Sequence, residues 1–94
     1  MGTRPQHTNA YKRLCAMLHT MREEAGLTQR GLAERLRRPH SFVYKVEHAE
    51  RRIDPVEMIA WCKACESDPT VLVATLAPGI PIYGRSPRTR ETRR

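Results

Sequence analysis

The sequence is poor in aromatic residues, which make up 5% of its 94 positions and include one Trp and one Phe. A core with so few large rings must be aliphatic and modest, which suits a bundle of short helices better than a sandwich or barrel. No apolar run approaches the roughly 20 residues needed to cross a bilayer, and the first ten residues contain no apolar signal core. We therefore expect one compact cytoplasmic domain.

Cysteine is also scarce, and the three present, Cys15, Cys62 and Cys65, are an odd number that argues against a disulfide framework. The Cys62–Cys65 spacing could suggest a metal or redox pair, but a zinc site needs four ligands and the chain has no second such pair. We interpret these cysteines as small core residues and predict no metal or cofactor. Paired carboxylates, a nucleophile with its base, or a glycine-rich phosphate loop are all missing at usable spacing, so we predict no enzyme.

The net charge of +7 favours a polyanionic partner, either nucleic acid or an anionic membrane surface. Much of this surplus lies in the last seventeen residues, which hold five Arg and one Glu among Pro, Gly, Ser and Thr. Such a composition cannot bury a core. We therefore divide the chain into a flexible N-terminus (1–8), a helical domain (9–77) and a basic disordered tail (78–94). The tail is either simply solvated, or an arm that contacts phosphates, or a segment that binds a partner or a membrane surface.

The spacing of apolar residues predicts five helices and no strand. Asn9, Thr28 and Asp68 are predicted N-caps, Gly26 is a predicted stop, and Pro39 marks a boundary. The predicted ranges are 9–25, 28 to 36 or 37, 39–48, 55–65 and 68–76.

The fourth helix is predicted to bury Val56, Ile59 and Cys62, with Trp61 at a packing position or an interface edge. The fifth, DPTVLVATL, is nearly apolar all round. It completes the core, pairs with a second copy, or does both.

Residues 28–47 predict two short helices joined by a turn of three to four residues, the second exposing polar side chains. This is the geometry by which a helix enters the major groove of DNA. The positions predicted to be buried are Leu32, Ala33, Leu36, Val43 and Val46. The outward face of the second of these helices then carries His40, Ser41, Tyr44 and Lys45.

The run GLTQRGLAERL, followed by SFVYKVE and ERR, resembles the Xre/Cro-type helix-turn-helix regulators over about residues 11–73. The resemblance implies a compact, all-α, five-helix lambda-repressor-like fold. It also implies a sequence-specific transcriptional regulator that binds double-stranded DNA, and the leading hypothesis is a repressor. It implies base contacts from His40, Ser41 and Lys45, with Tyr44 a neighbouring candidate. Arg22 and Glu47 resemble a pair that ties the first helix to the end of the third. The predicted phosphate contacts are Gln29, Arg37, Arg38, Arg51 and Arg52.

The chain departs from the family pattern at three positions. In the turn, Arg37 stands where a glycine is common and Arg38 stands where an apolar residue is common. After the third helix, Ala49 stands where a glycine is frequent. A left-handed Arg37 would cost about 1–2 kcal/mol, so we expect the second helix to run on and bend at Pro39.

We predict that the regulator acts as a homodimer, whose two-fold symmetry would place two recognition helices about 34 Å apart and therefore predicts a near-palindromic operator. The predicted dimer interface is Val71, Leu72 and Leu76. The alternative is an antitoxin-type module that binds a protein partner through the fifth helix and the tail.

Overall fold

The computed structural model describes residues 8–82, which form five α-helices and a closing 3-10 turn at Ala77–Gly79. The helices are α1 (Asn9–Glu24), α2 (Gln29–Leu36), α3 (His40–Glu47), α4 (Pro55–Ala64) and α5 (Pro69–Leu76). Every regular element in this part of the chain is helical, so the predicted all-α, five-helix fold is confirmed. The predicted flexible N-terminus, apart from Thr8, and the tail beyond residue 82 lie outside the described residues. Between residues 8 and 82, no helix is long and apolar enough to span a membrane.

Side-chain caps begin four of the five helices. Thr8, Thr28, Asp54 and Asp68 each accept a hydrogen bond from the backbone N–H two or three residues further on. These bonds satisfy donors that the first turn of a helix otherwise leaves unpaired. Thr28 and Asp68 confirm the predicted starts, whereas the first cap is Thr8 and not Asn9, which is already helical.

The turn between α2 and α3 differs from the prediction. α2 ends at Leu36, within its predicted range, but it does not run on to Pro39, because Arg37 adopts the left-handed conformation with φ 56° and ψ 43°. The N–H of Arg38 then bonds to the Ala33 carbonyl at 3.0 Å. This closing bond satisfies a carbonyl at the helix end, and Pro39 disfavours helical backbone at Arg38, so together they offset the cost of the left-handed residue.

Two further helices end in the same way, because Ala49 after α3 and Glu66 after α4 also have positive φ values of 59° and 57°. Glu50 and Ser67, the residues that follow them, donate backbone hydrogen bonds of 2.8 Å back into the helix that has just ended. Three helix ends are therefore built from non-glycine residues in a conformation that glycine adopts without strain.

The core lies between α1, α2, α3 and α4, and α5 closes it from one side. Its completely buried side chains come from all four of these helices: Leu18, Leu32, Val43, Val46, Trp61 and Cys62. Leu72 is the buried residue of α5. Cys15 and Cys65 are buried too, which supports their interpretation as small core residues.

The predicted inner face of α4 was wrong for two of its three residues. Val56 is 76% exposed and Ile59 41% exposed, while Trp61, Cys62 and, after the helix, Cys65 are buried. α4 is apolar on nearly every side, so its rotation is decided by the largest ring. The Trp61 indole N–H donates to the Leu18 carbonyl at 3.2 Å, which fixes that ring inside the core.

Candidate nucleic-acid interface

The helix-turn-helix segment is held by a continuous layer of apolar contacts beneath α2 and α3. Leu32 and Ala33 from α2 face Val43 and Val46 from α3, and all four are buried. Phe42, which the sequence analysis did not assign to the core, is also buried, and its ring lies 6.3 Å from that of Trp61. These contacts fix the rotation of α3 about its axis and so decide which of its side chains face solvent.

The outward arc of α3 carries the four predicted base-contacting residues: His40, Ser41, Tyr44 and Lys45. At about 100° per residue they span roughly 140° of the helix circumference, opposite the buried positions 42, 43 and 46. All four are exposed. The structure therefore brings the predicted set together on one polar face of a short, exposed helix, the shape that a major groove accepts.

His48 extends this face and was missed by the sequence analysis, which took it only as the end of the helix. Its ring stacks on Tyr44 with centroids 4.0 Å apart, and its Nδ1 lies 2.8 Å from the Tyr44 carbonyl oxygen. A carbonyl only accepts, so Nδ1 carries the proton. The spacing of four residues from Tyr44 was the signal that places both rings on one face.

The side chains of Arg38, before α3, and Arg51, after it, both bind the carboxylate of Glu57. Arg38 Nη2 lies 2.6 Å from Glu57 Oε2, and Arg51 donates to both oxygens of Glu57 at 3.1 and 3.2 Å. Both guanidinium groups also lie over the Phe42 ring, 4.5 and 4.7 Å from its centroid. Two predicted phosphate-contacting residues are thus held in one cluster by α3 and α4.

Glu57 at the centre of this cluster was not singled out from the sequence. It also completes the capping box of α4, since its backbone N–H donates to Asp54 and its carboxylate accepts from the Asp54 N–H. The hydrogen bond from Arg51 is the largest influence that lowers the pKa of Glu57, to about 2, against an opposing effect of burial. The Asp54–Glu57 spacing was the sequence signal that could have revealed the cap.

The loop after α3 is fixed from below by Tyr11. Its hydroxyl donates to the Arg51 carbonyl at 3.1 Å and accepts from the buried Ile53 N–H at 3.0 Å. Arg52 lies over the same ring, 4.4 Å from its centroid. Burial raises the pKa of Tyr11 to about 12, so the hydroxyl keeps its proton at neutral pH. The backbone that presents Arg51 and Arg52 is therefore anchored to α1.

Arg22 and Glu47 lie in contact in the interior, with Arg22 Nε 2.6 Å from Glu47 Oε2. His19 and Gln29 also reach Glu47 Oε1, at 2.8 and 3.0 Å, so α1 and α2 both hold the end of α3. Burial alone would raise the pKa of Glu47, but hydrogen bonds led by that of Arg22 outweigh it and hold the pKa below its usual range. Arg22 further donates to the Leu27 carbonyl at 2.7 Å.

Gln29 and Arg37, two of the predicted phosphate contacts, are placed differently from the arginine cluster. The side-chain amide of Gln29 donates one of its two N–H groups to Glu47, and a primary amide can donate the second to another acceptor. The Arg37 side chain is exposed beside the start of α3 and contacts no partner within residues 8–82.

The predicted dimer residues fall in two different environments. Leu72 is 3% exposed and belongs to the core of the protomer, so it has almost no side-chain area left for an interface. Val71 is 61% exposed, Leu76 is half-buried and the unassigned Val73 is exposed. Val71 also lines a largely apolar groove of about 480 Å³ between α1 and α5.

Comparison with known proteins identifies the fold family. Residues 3–76 match the family described as helix-turn-helix domain. An XRE-family like protein from Pseudomonas syringae pv. tomato is 43% identical, with a TM-score of 0.74 over 80% of this chain and 92% of that one. The chain therefore belongs to the XRE-type helix-turn-helix family, and it is a DNA-binding transcriptional regulator.

Two more distant structures share the fold. The restriction-modification controller protein C.Esp1396I is 18% identical, with a TM-score of 0.69 over 77% of this chain and 95% of that one. The clp gene regulator ClgR from C. glutamicum is 20% identical, with a TM-score of 0.67 over 80% and 96%. A comparison with curated proteins finds no match.

Proposed function

We propose that the chain is a sequence-specific repressor that inserts α3 into the major groove of an operator. The observation that carries this proposal is the outward arc of α3, where His40, Ser41, Tyr44 and Lys45 are exposed above a buried layer that fixes their direction. Lys45 suits guanine O6 or N7, and Ser41 suits either base type. His40 and Tyr44 supply further donors and acceptors beside them.

The phosphate contacts flank this arc. Arg38 precedes α3 and Arg51 and Arg52 follow it, so positive charge lies at both ends of the helix that enters the groove. Gln29 and Arg37 complete the proposed set near the start of α2 and of α3. Contacts of this kind position the protein along the duplex, while the base contacts read its sequence.

The experiment is selection of bound sequences from random duplex DNA, followed by affinity measurements on a selected and an unrelated duplex. A His40→Ala, Lys45→Ala double variant should lose most of the preference for the selected duplex while keeping its affinity for the unrelated one. Arg52→Ala should weaken binding to both duplexes about equally, because phosphates carry no sequence. Equal affinity of the wild type for every duplex would contradict the proposal.

We further propose that the regulator acts as a homodimer through α5 and the groove beside it. Val71 is exposed at the rim of the groove, and Val73 and Leu76 add apolar area on the other side of α5. Val71→Asp should convert a dimer to a monomer in sedimentation, and Val56→Asp, which alters an exposed valine on α4, serves as the matched control. A protein that sediments as a monomer at high concentration would refute the dimer.

The same groove supports a second candidate function. In this alternative, the chain is a module that binds a protein partner through α5 and the tail. If this were the main role, Val71→Asp would abolish activity in cells while leaving duplex binding in vitro unchanged.

A further inference from the structure

The geometry of Arg38, Arg51 and Glu57 points to a single binding site for one DNA backbone phosphate, in which Glu57 limits non-specific affinity. We infer this from three features of the cluster, and the inference rests on the proposed DNA-binding function. It differs from the expectation that the two arginines contact phosphates independently of each other.

The first feature is distance. Arg38 Nη2 and Arg51 Nη2 share one oxygen, Glu57 Oε2, at 2.6 and 3.2 Å, so the two nitrogens are less than about 6 Å apart. A phosphate oxygen that accepts charge-assisted bonds of about 2.7–2.9 Å from two donors fits between nitrogens at this separation. One phosphate can therefore be held by both arginines, whereas two phosphates of a strand, each with its own charge, would crowd the same space.

The second feature is charge. Two guanidinium groups and one carboxylate sum to one positive charge, and the lowered pKa keeps Glu57 ionised throughout the neutral range. A net charge of one matches one phosphate. It also means that the carboxylate neutralises one of the two guanidinium charges, which weakens attraction to any duplex regardless of its sequence.

The third feature is position and exposure. Phe42, on which both guanidinium groups lie, is about 60° around α3 from Lys45, so the cluster borders the arc proposed to read bases. The two arginine side chains are each more than a third exposed, whereas Glu57 is largely buried beneath them. A phosphate at the edge of the groove can reach the guanidinium groups from the solvent side without displacing Glu57.

The test measures the dissociation constant of the full chain on a duplex of unselected sequence across a range of salt concentrations. Each phosphate contact contributes about 0.9 to the slope of log affinity against log salt. Arg38→Gln and Arg51→Gln should each lower the slope by about one, and the double variant should also lower it by about one and not two. As a control, combining Arg38→Gln with Arg52→Gln should lower it by about two, since Arg52 lies on Tyr11 and not on Glu57.

Glu57→Gln gives the second arm, because glutamine at this position can keep the capping box. It should tighten binding to the unselected and the selected duplex several-fold alike, because phosphates carry no sequence, and it should leave the slope near that of wild type, because the site still holds one phosphate. Glu50→Gln makes the same charge change on a residue whose side chain has no partner in the described part of the chain, and it should leave both the affinity and the slope close to those of wild type.

Additive losses in the Arg38, Arg51 double variant, or a Glu57→Gln variant indistinguishable from Glu50→Gln, would overturn the shared site. Thermal melts of each variant confirm that it is folded before its slope is read. A wild-type chain that does not bind any duplex at low salt would instead refute the proposed function, so the two failures are distinguishable.

Discussion

The ion pair between Arg22 and Glu47 sets how firmly the recognition helix is attached to the rest of the fold. The Glu47 carboxylate is 2% exposed and receives hydrogen bonds from α1 and α2 while it ends α3. Replacing Arg22 by Met removes the charge that neutralises it and fills the space with an apolar chain. The resulting variant keeps a buried carboxylate with only His19 and Gln29 as partners.

The expected cost follows from that burial. Removing one partner of a buried ion pair costs about 3–5 kcal/mol, and the two remaining hydrogen bonds reduce this to roughly 2–4 kcal/mol. A domain of this size has about 5–10 kcal/mol of stability in total, so the variant should lose a large share of it. Urea unfolding at pH 7 followed by circular dichroism measures the difference, and Arg30→Met, on an exposed residue of α2, is the control.

The dependence on pH gives an independent check. In the wild type the folded pKa of Glu47 is lowered, so its contribution is complete above the unfolded pKa and is lost as the pH falls through the folded value. In the Arg22→Met variant burial dominates and raises that pKa, so protonation stabilises the folded variant. The gap between the two proteins should therefore narrow from pH 7 towards pH 4. A loss below about 1 kcal/mol at pH 7, or a gap that does not change with pH, would refute the reasoning.

Four further substitutions test the fold that carries the interface. Glu66→Gly should stabilise by about 0.5–1 kcal/mol and raise the melting temperature, because the left-handed strain it relieves exceeds the added chain entropy; no rise would contradict this. Tyr11→Phe should lower the free energy of unfolding, measured in urea, by about 1–2 kcal/mol, because the buried Ile53 N–H loses its acceptor. A decrease below about 0.5 kcal/mol would contradict this role of the hydroxyl. Ile59→Lys should change stability by less than about 0.5 kcal/mol while Trp61→Ala costs about 3–5 kcal/mol, and the reverse order would show that α4 is rotated differently.

Residues 28–47 show why much of the fold was predictable. Leu32, Ala33, Val43 and Val46 recur at helical spacing, and Thr28 marks the start, so local pattern and tertiary packing agree. The exposed arc of α3 follows from the same spacing. Where one face must be buried, the other face is determined.

The errors arose where local preference and tertiary contacts compete. Arg37 alone disfavours a left-handed turn, yet the closing hydrogen bond and the following proline impose it. Val56 and Ile59 are as apolar as the residues that are buried, so periodicity could not reveal that Trp61 sets the rotation of α4. The ion pair from Arg38 to Glu57 joins residues nineteen positions apart, which no local pattern in one sequence indicates.

The most direct test of the central claim, that the outward arc of α3 faces duplex DNA, is an NMR titration of ¹⁵N-labelled protein with a selected duplex. The largest shift changes should fall on residues 40–48 and on the Arg38 and Arg51 side chains, with little change along the groove between α1 and α5. Shift changes centred on that groove, with residues 40–48 unaffected, would contradict the account.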